Sequence, residues 1–273
     1  MRVDWIEQTK ADVPPQNNWL SPEETAYFNS LRFARRSADW RLGRWTSKCA
    51  VATFLNLPAH PHALATIEIW PTPSGAPEAF LDGVPVPVAI SISHRDGISL
   101  CAIASSNADV GCDLEMIEPR SEAFIADYFA PPEQALISNA SSSDRFLTVA
   151  LLWSAKESAL KALRQGLRLD TRSVIVSLAD HLSRDEVIEN KLRRPDSSVS
   201  DSPALNSWSS LGVQCCDGKT FHGWWQTTTH TVRTLVANPR PDPPILLDFS
   251  NHDLPGKARS GRVPRCRNAA RVG

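Results

Sequence analysis

The feature that most constrains the fold of this chain is a motif that occurs twice. Residues 45–52 (WTSKCAVA) resemble residues 153–160 (WSAKESAL) at an offset of 108, from 45 to 153. Upstream, Pro22-Glu23-Glu24 resembles Pro132-Glu133-Gln134 at an offset of 110. A repeated helix followed by strands predicts two similar halves with a cleft between them, and chance similarity between two amphipathic helices is the alternative.

The composition is that of an ordinary folded protein. The 273 residues are 42% hydrophobic, which is enough to bury a large core in one or two domains. Lys+Arg 29 against Asp+Glu 30 leaves a net charge of -1, so we expect no general attraction to nucleic acid. The polar start and the absence of a long apolar run exclude a signal peptide and a membrane span, and we expect a cytoplasmic protein.

Apolar spacing and turn residues predict an α+β fold. A long helical stretch covers residues 19–57, and Ser21, Pro22 and Glu24 form a helix-start signature. An Asp96-Gly97 turn predicts a hairpin between two strands. The predicted strands are 64–70, 89–93, 98–104, 110–116, 173–178, 208–216, 221–228 and 231–237, and the second half has helices within 121–138 and 145–164.

We divide the chain into three parts. Residues 1–106 form an N-terminal lobe and residues 107–240 a C-terminal lobe. Residues 241–273 are rich in proline and arginine, and this composition predicts a disordered tail.

Asp113-Leu114-Glu115 is the first candidate for chemistry. Side chains at positions i and i+2 of a strand share a face, so both carboxylates point the same way. At about 5 Å they repel by about 3 kcal/mol at an effective dielectric of 20, and a bound cation relieves that repulsion. Carboxylate oxygens suit Mg²⁺. A solvated edge strand with two exposed acids is the alternative.

The second copy of the repeated motif supplies one acid and two lysines. Glu157 and Lys161 are four residues apart, so on a helix they share a face, and Lys156 lies one step around it. An ordinary surface ion pair is the alternative. The first copy has Cys49 where the second has Glu157, so a paired architecture with its acid in one half is expected.

Two further groups could bind anions. Ser93 and His94 end a strand at a tight turn, where their side chains can reach a phosphate, although a lone histidine is more often structural. Arg44 and Lys48 are four residues apart and can form one cationic patch that suits phosphates. A solvated helix face is the alternative for this patch.

Taken together, these motifs resemble the 4′-phosphopantetheinyl transferases of the larger, two-lobed, surfactin-synthetase-activating type. The resemblance covers about residues 19–237. It rests on Ser74-Gly75-Ala76-Pro77, Ile92-Ser93-His94, Gly111-Cys112-Asp113-Leu114-Glu115, and Trp153-Ser154-Ala155-Lys156-Glu157 with Lys161. It implies two pseudo-symmetric lobes, each a small, mostly antiparallel sheet packed on a long helix, with the active site at their interface. A cleft within one chain implies a monomer.

The resemblance also implies an activity. The enzyme transfers 4′-phosphopantetheine from coenzyme A to a serine of an apo acyl or peptidyl carrier protein, with Mg²⁺ as cofactor. A non-catalytic relative that binds coenzyme A or a carrier is the alternative. The carrier is expected to dock near residues 117–137, where Phe124 and Phe129 are candidate contacts.

The resemblance implies a role for each candidate residue. Asp113, Glu115 and Glu157 would hold Mg²⁺, and Asp113, Glu157 and Lys161 would be catalytic. Either Glu157 or a metal-bound water takes the serine proton. The implied coenzyme A contacts are Arg44, Lys48, Ser93, His94, Lys156 and Lys161, with Arg36 and Arg41 as weaker candidates.

Overall fold

The computed structural model describes residues 1–165, 169–178 and 207–249. Within these ranges the chain is a mixed α+β protein with two lobes. Each lobe packs one long helix on a mostly antiparallel sheet.

The first lobe opens with a strand, continues with helices and ends with a hairpin. The sheet order β1-β6-β5 is antiparallel throughout, and β2-β3-β4 form a second small sheet in which β3 lies against β5. The elements are β1 (Asp4–Thr9), α1 (Pro22–Ser30), α2 (Ala34–Phe54), α3 (Pro61–Ala65), β2 (Ile67–Pro71), β3 (Pro77–Leu81), β4 (Val84–Pro85), β5 (Val88–Arg95) and β6 (Ile98–Ser105).

The second lobe repeats this order. Its sheet runs β7-β11-β10-β9-β8, and all neighbours are antiparallel. The elements are β7 (Asp109–Met116), α4 (Glu122–Tyr128), α5 (Pro131–Asn139), α6 (Arg145–Ala162), β8 (Val174–Ser177), β9 (Ser209–Cys215), β10 (Thr220–Thr227) and β11 (Thr231–Asn238). The predicted pair of similar lobes is therefore confirmed.

In the first lobe, the lysine of the repeated motif is buried against a carboxylate. Lys48 forms an ion pair with Glu24, and both side chains are fully buried. Its Nζ also donates to the carbonyl oxygens of Trp19, at 2.9 Å, and Leu64, at 3.1 Å. The Glu24 Oε1 atom accepts from the backbone nitrogen of Ile69 in β2. The pair thus joins α1, α2 and the edge strand.

The second lobe contains the same arrangement. Lys156 lies 2.7 Å from Glu133, again with both side chains fully buried, and donates to the carbonyl of Thr171 at 2.8 Å. The Glu133 Oε1 atom accepts from the nitrogen of Val176 in β8. Glu24 and Glu133 are each the third residue of their helix, so the structural offset is 109. The offset of 110 read from the sequence is wrong by one residue.

The structure corrects several expected elements. The single helical stretch over 19–57 is two helices, because residues 31–33 leave the helical conformation between α1 and α2. β1 was not expected, and residues 64–65 end a short helix. The capping box of Ser21 and Glu24 and the Asp96-Gly97 turn, both residues of which have positive φ, are confirmed.

The segment after residue 240 is also corrected, because part of it is ordered. A short strand, β12 (Ile245–Leu246), pairs in parallel with β1. Leu247 is buried, and the ring of Phe249 packs on Trp45 with centroids 5.8 Å apart. Residues 250–273, the rest of the expected tail, lie outside the described residues, as do most of the polar residues between β8 and β9.

The two lobes meet along β7. Its apolar residues pack on the first-lobe sheet in a shared core that includes Leu100, Cys112 and Leu114. Two serine hydroxyls of β5 accept hydrogen bonds from β7 backbone nitrogens: Ser91 from Cys112 at 3.0 Å, and Ser93 from Leu114 at 3.3 Å. The strand that carries the candidate acids is therefore fixed by both lobes.

The buried ion pairs give a stability prediction. Lys156→Met is expected to lower the free energy of unfolding by about 3–5 kcal/mol, because it leaves the Glu133 carboxylate buried without a counter-ion. Urea denaturation followed by tryptophan fluorescence measures this loss. Arg35→Met is the control, since that side chain is 91% exposed and 3.9 Å from Asp39, and should change stability by less than about 0.5 kcal/mol. Similar stabilities for the two variants would contradict the assignment.

Candidate active site

The site begins with an unusually close approach of α6 to β7. A Cβ atom built on Gly111 would lie 1.8 Å from the carbonyl oxygen of Ser158, so only glycine fits here. Asp113 and Glu115 follow Gly111 on the same face of β7. This contact therefore brings both acids against the side of α6 that carries Glu157 and Lys161.

A buried hydroxyl cluster fixes the register of α6 on the sheet. The Oγ1 atom of Thr234, which pairs with Asp113 across β7 and β11, lies 2.6 Å from Ser158 Oγ and 2.9 Å from Ser154 Oγ. These atoms are buried, so their hydrogen bonds are costly to break. Rotation of α6 away from the acids is thereby disfavoured.

Asp113 is the most buried acid of the site. Its Oδ1 atom accepts from Lys161 Nζ and from Ser93 Oγ, both at 2.7 Å. Its Oδ2 atom is buried and has no hydrogen-bond partner. Such an atom is costly to leave unmatched, and it marks a place where a bound group can supply the missing interaction.

Lys161 is the partly exposed partner of Asp113. Its side chain is 27% exposed, and its Nζ also donates to the Cys112 carbonyl at 3.1 Å. Burial alone lowers the pKa of Lys161, but the nearby charge of Asp113, with smaller contributions from Cys112 and Glu157, raises it overall. The ammonium group therefore stays charged at neutral pH.

Glu115 is held by donors from both lobes. Its Oε1 atom accepts from Trp153 Nε1 at 3.2 Å, and its Oε2 atom lies 3.1 Å from Arg120 and 3.9 Å from Arg95. Burial, followed by repulsion from Asp113, raises the pKa of Glu115. Sequence reasoning missed both arginines. Only the position of Arg95 beside His94 could have signalled one of them.

Glu157 completes the acidic set. Burial first, and then repulsion from Asp113 and Glu115, raises the pKa of Glu157 to about 7, although Lys161 opposes this shift. All three carboxylates therefore act on one another across the space between β7 and α6. Asp113 and Glu157 thus lie close enough to affect each other's charge, and their expected convergence on a shared divalent ion stays a prediction.

These acids fit a divalent cation in kind. Three carboxylates, one of which has a buried oxygen without a hydrogen-bond partner, are the kind of donors that Mg²⁺ prefers. They are not assembled around one point: in the described part of the chain, no group of three or more His, Cys, Asp or Glu side chains is placed to hold a metal ion. Lys161 and Arg120 form ion pairs with Asp113 and Glu115.

A cavity of about 560 Å³ lies in the first lobe. His94 is exposed at the end of β5, directly after Ser93, and α2 begins nearby without a side-chain cap. The cavity is lined by Tyr27, Phe33, Arg35, Arg36, Asp39, Trp40 and His94. The two arginines of this cavity are Arg35 and Arg36. The sequence analysis did not propose Arg35, and it proposed Arg36 as a weaker candidate for contact with coenzyme A.

Three expected phosphate contacts are corrected. Lys48 and Lys156 have fully buried side chains paired with carboxylates, so in this structure neither can reach a ligand. Arg44 is largely buried, with its guanidinium 4.8 Å from the centre of the Trp40 ring and 3.7 Å from Glu24. These cations support the fold instead of forming an open patch.

Two other candidates also differ from expectation. The weaker candidate Arg41 donates to the side chain of Asn17 and the carbonyl of Pro14. Phe129, expected on the carrier-docking face, is fully buried, whereas Tyr128 is exposed.

The close approach at Gly111 predicts a large mutational effect. Gly111→Ala is expected to lower the free energy of unfolding by at least about 3 kcal/mol, because the added methyl group collides with the α6 backbone. Chemical denaturation measures the effect. The control is Gly43→Ala, where the added methyl group meets only Ile92 Cγ2 at 3.8 Å and should be neutral or stabilising by up to about 1 kcal/mol. Equal stabilities of the two variants would contradict the model of the site.

The raised pKa of Glu157 predicts a pH dependence. The ordinary pKa of a glutamate is 4.5, and in the folded protein the pKa of Glu157 is about 7. Because the folded state holds this proton more tightly than the unfolded state does, the group lowers the stability of the fold as the pH rises from 4.5 to about 7. In EDTA at pH 8, Glu157→Gln should therefore be more stable than the wild type by on the order of 1 kcal/mol. Thermal denaturation should show this gain shrinking toward zero at pH 5. A gain that is independent of pH would refute the assignment.

Comparison with known proteins agrees with this geometry. No helix among the described residues is long and apolar enough to cross a membrane. A search of curated proteins finds no match to the chain. Residues 109–212, which include Asp113, Glu115, Glu157 and Lys161, match the family model of the 4′-phosphopantetheinyl transferase superfamily. This part of the chain, most of the second lobe, is therefore similar to the 4′-phosphopantetheinyl transferase superfamily.

Proposed function

We propose that this protein is a Mg²⁺-dependent transferase of the larger, surfactin-synthetase-activating type. It moves 4′-phosphopantetheine from coenzyme A to a serine of an apo acyl or peptidyl carrier protein. One observation carries the proposal: Asp113, Lys161 and Glu157 lie close together at the seam between the lobes. The cleft lies within one chain, so a monomer suffices.

The first-lobe cavity suits the nucleotide end of coenzyme A. Arg35, Arg36 and His94 line it, and the uncapped N-terminus of α2 adds a partial positive charge. The arginines and the N-terminus of α2 carry charge of the same sign and repel one another. An anion bound beside them relieves this repulsion. The 3′-phosphate and diphosphate of coenzyme A are such anions, and His94 directly follows Ser93, which donates to Asp113.

The reaction is a displacement at phosphorus. The serine oxygen forms a bond to the phosphorus that carries the pantetheine arm, and the bond from that phosphorus to the bridging oxygen breaks. Adenosine 3′,5′-bisphosphate leaves, and the serine proton is lost. Such a transfer depends on positioning and charge neutralisation more than on covalent chemistry.

The side chains divide this work. Lys161, held charged by Asp113, would stabilise the leaving phosphate. Glu157, with a pKa of about 7, can accept the serine proton near neutral pH. Asp113, Glu115 and Glu157 are the residues that would hold Mg²⁺, which supplies neutralisation of the diphosphate charge. The exposed aromatic face of α4, with Tyr128 in place of Phe129, is where we expect the carrier.

Mass spectrometry of an apo carrier incubated with coenzyme A and Mg²⁺ tests the proposal. The carrier should gain one phosphopantetheine group. Asp113→Asn should lower the transfer rate by about a thousandfold or more, because it loses both the charge beside Lys161 and a metal ligand. Asp109→Asn is the matched control on the same strand; its carboxylate pairs with Lys219 and should be dispensable.

The outcomes of this experiment distinguish a transferase from a relative that only binds coenzyme A or a carrier. Tight binding of coenzyme A without transfer to any apo carrier would identify a non-catalytic relative. Full activity of Asp113→Asn would refute the assignment of the catalytic acids.

A further inference from the structure

Two arginines and two glutamates form a compact charged group at the seam. One terminal nitrogen of Arg120 lies 3.1 Å from Glu115 Oε2 and 3.3 Å from Glu118 Oε1. Arg95, from the first lobe, lies 2.7 Å from the same Glu118 oxygen and 3.9 Å from Glu115. The Arg120 guanidinium thus stands between two carboxylates at nearly equal distances.

This group makes Glu115 different from Asp113. Asp113 keeps one buried oxygen without a partner, whereas both oxygens of Glu115 have donors: Trp153 on Oε1 and Arg120 on Oε2. A cation that is part of the protein already neutralises the charge of Glu115. A divalent ion can use Glu115 Oε2 only when Arg120 gives up that contact.

We propose that Arg120 is a positioning residue, which serves as the counter-ion of Glu115 in the metal-free protein and passes wholly to Glu118 when a divalent cation binds. This inference rests on the metal-dependent function proposed above. Because Glu118 Oε1 already lies 3.3 Å from the same nitrogen, the exchange needs only a small shift. The Phe124 ring, whose centre is 5.2 Å from the guanidinium carbon, supports the guanidinium beside both acceptors.

The proposal predicts an effect of definite sign. Removing the guanidinium removes the competitor for Glu115, so a divalent cation should bind more tightly, although the variant has lost a contact of the folded protein. Glu118→Gln removes the alternative acceptor, so the cation should bind more weakly. When Arg120 is absent, Glu118 no longer has to accept its guanidinium. Substitution of Glu118 should then change the affinity for the cation by a smaller factor.

Mn²⁺ binding tests this, with free Mn²⁺ measured by electron paramagnetic resonance at fixed ionic strength and without coenzyme A. Arg120→Gln should tighten Mn²⁺ binding roughly tenfold. Arg120→Lys, which keeps the charge, should stay within about threefold of wild type. Arg145→Gln, which removes a second-lobe cation paired with Glu122, should change affinity by less than about twofold.

A double-mutant cycle separates exchange from a general effect of charge. Glu118→Gln should weaken Mn²⁺ binding at least about twice as much in the wild type as in Arg120→Gln. Should Arg120→Gln disturb folding, Arg95→Gln is the second variant, and it should tighten binding by a smaller factor because Arg95 lies farther from Glu115.

Three results would overturn the proposal: unchanged or weaker Mn²⁺ binding in a folded Arg120→Gln variant, an equal gain in Arg145→Gln, or additive effects in the cycle. In each of these cases the proposed transferase function would stand if the wild type still binds Mn²⁺. Wild-type protein that binds no Mn²⁺ would overturn both the exchange and the metal assignment.

Discussion

The close contact between β7 and α6 is the constraint on which the site depends. With a glycine at 111, the backbone of the helix lies directly against the strand, and the acids of both elements meet without a layer of side chains between them. The cost is burial of the carboxylates and then repulsion among them, which together raise the pKa values of Glu115 and Glu157. Lys161 and Arg120 offset that repulsion.

The two copies of the repeated motif share a structural lysine and differ in one acidic residue. The buried pairs Glu24–Lys48 and Glu133–Lys156 fasten helices to an edge strand in the same way in each lobe. At the helix offset of 108, Cys49 stands in the place of Glu157. The lysine therefore has the same structural role in both copies, whereas the acid at the next position is present in one copy only.

The sequence predicted most of this architecture because the apolar spacing, capping residues and turn residues are local signals. It also predicted that Asp113 and Glu157 would meet, since both belong to motifs with a strong resemblance to one superfamily. It failed for Lys48 and Lys156, because a lysine buried by a distant glutamate looks the same as an exposed lysine in a sequence. It missed Arg95 and Arg120 for the same reason: the contacts that involve them depend on how the lobes dock.

The strand β12 has a consequence for how the lobes can move. After completing the second lobe, the chain returns and adds β12 to the sheet of the first, with Leu247 and Phe249 anchored in its core. The second lobe is thus tethered to the first at both of its ends. Wide opening on a single flexible connection is restricted, and the reacting groups keep their alignment without a stiff linker.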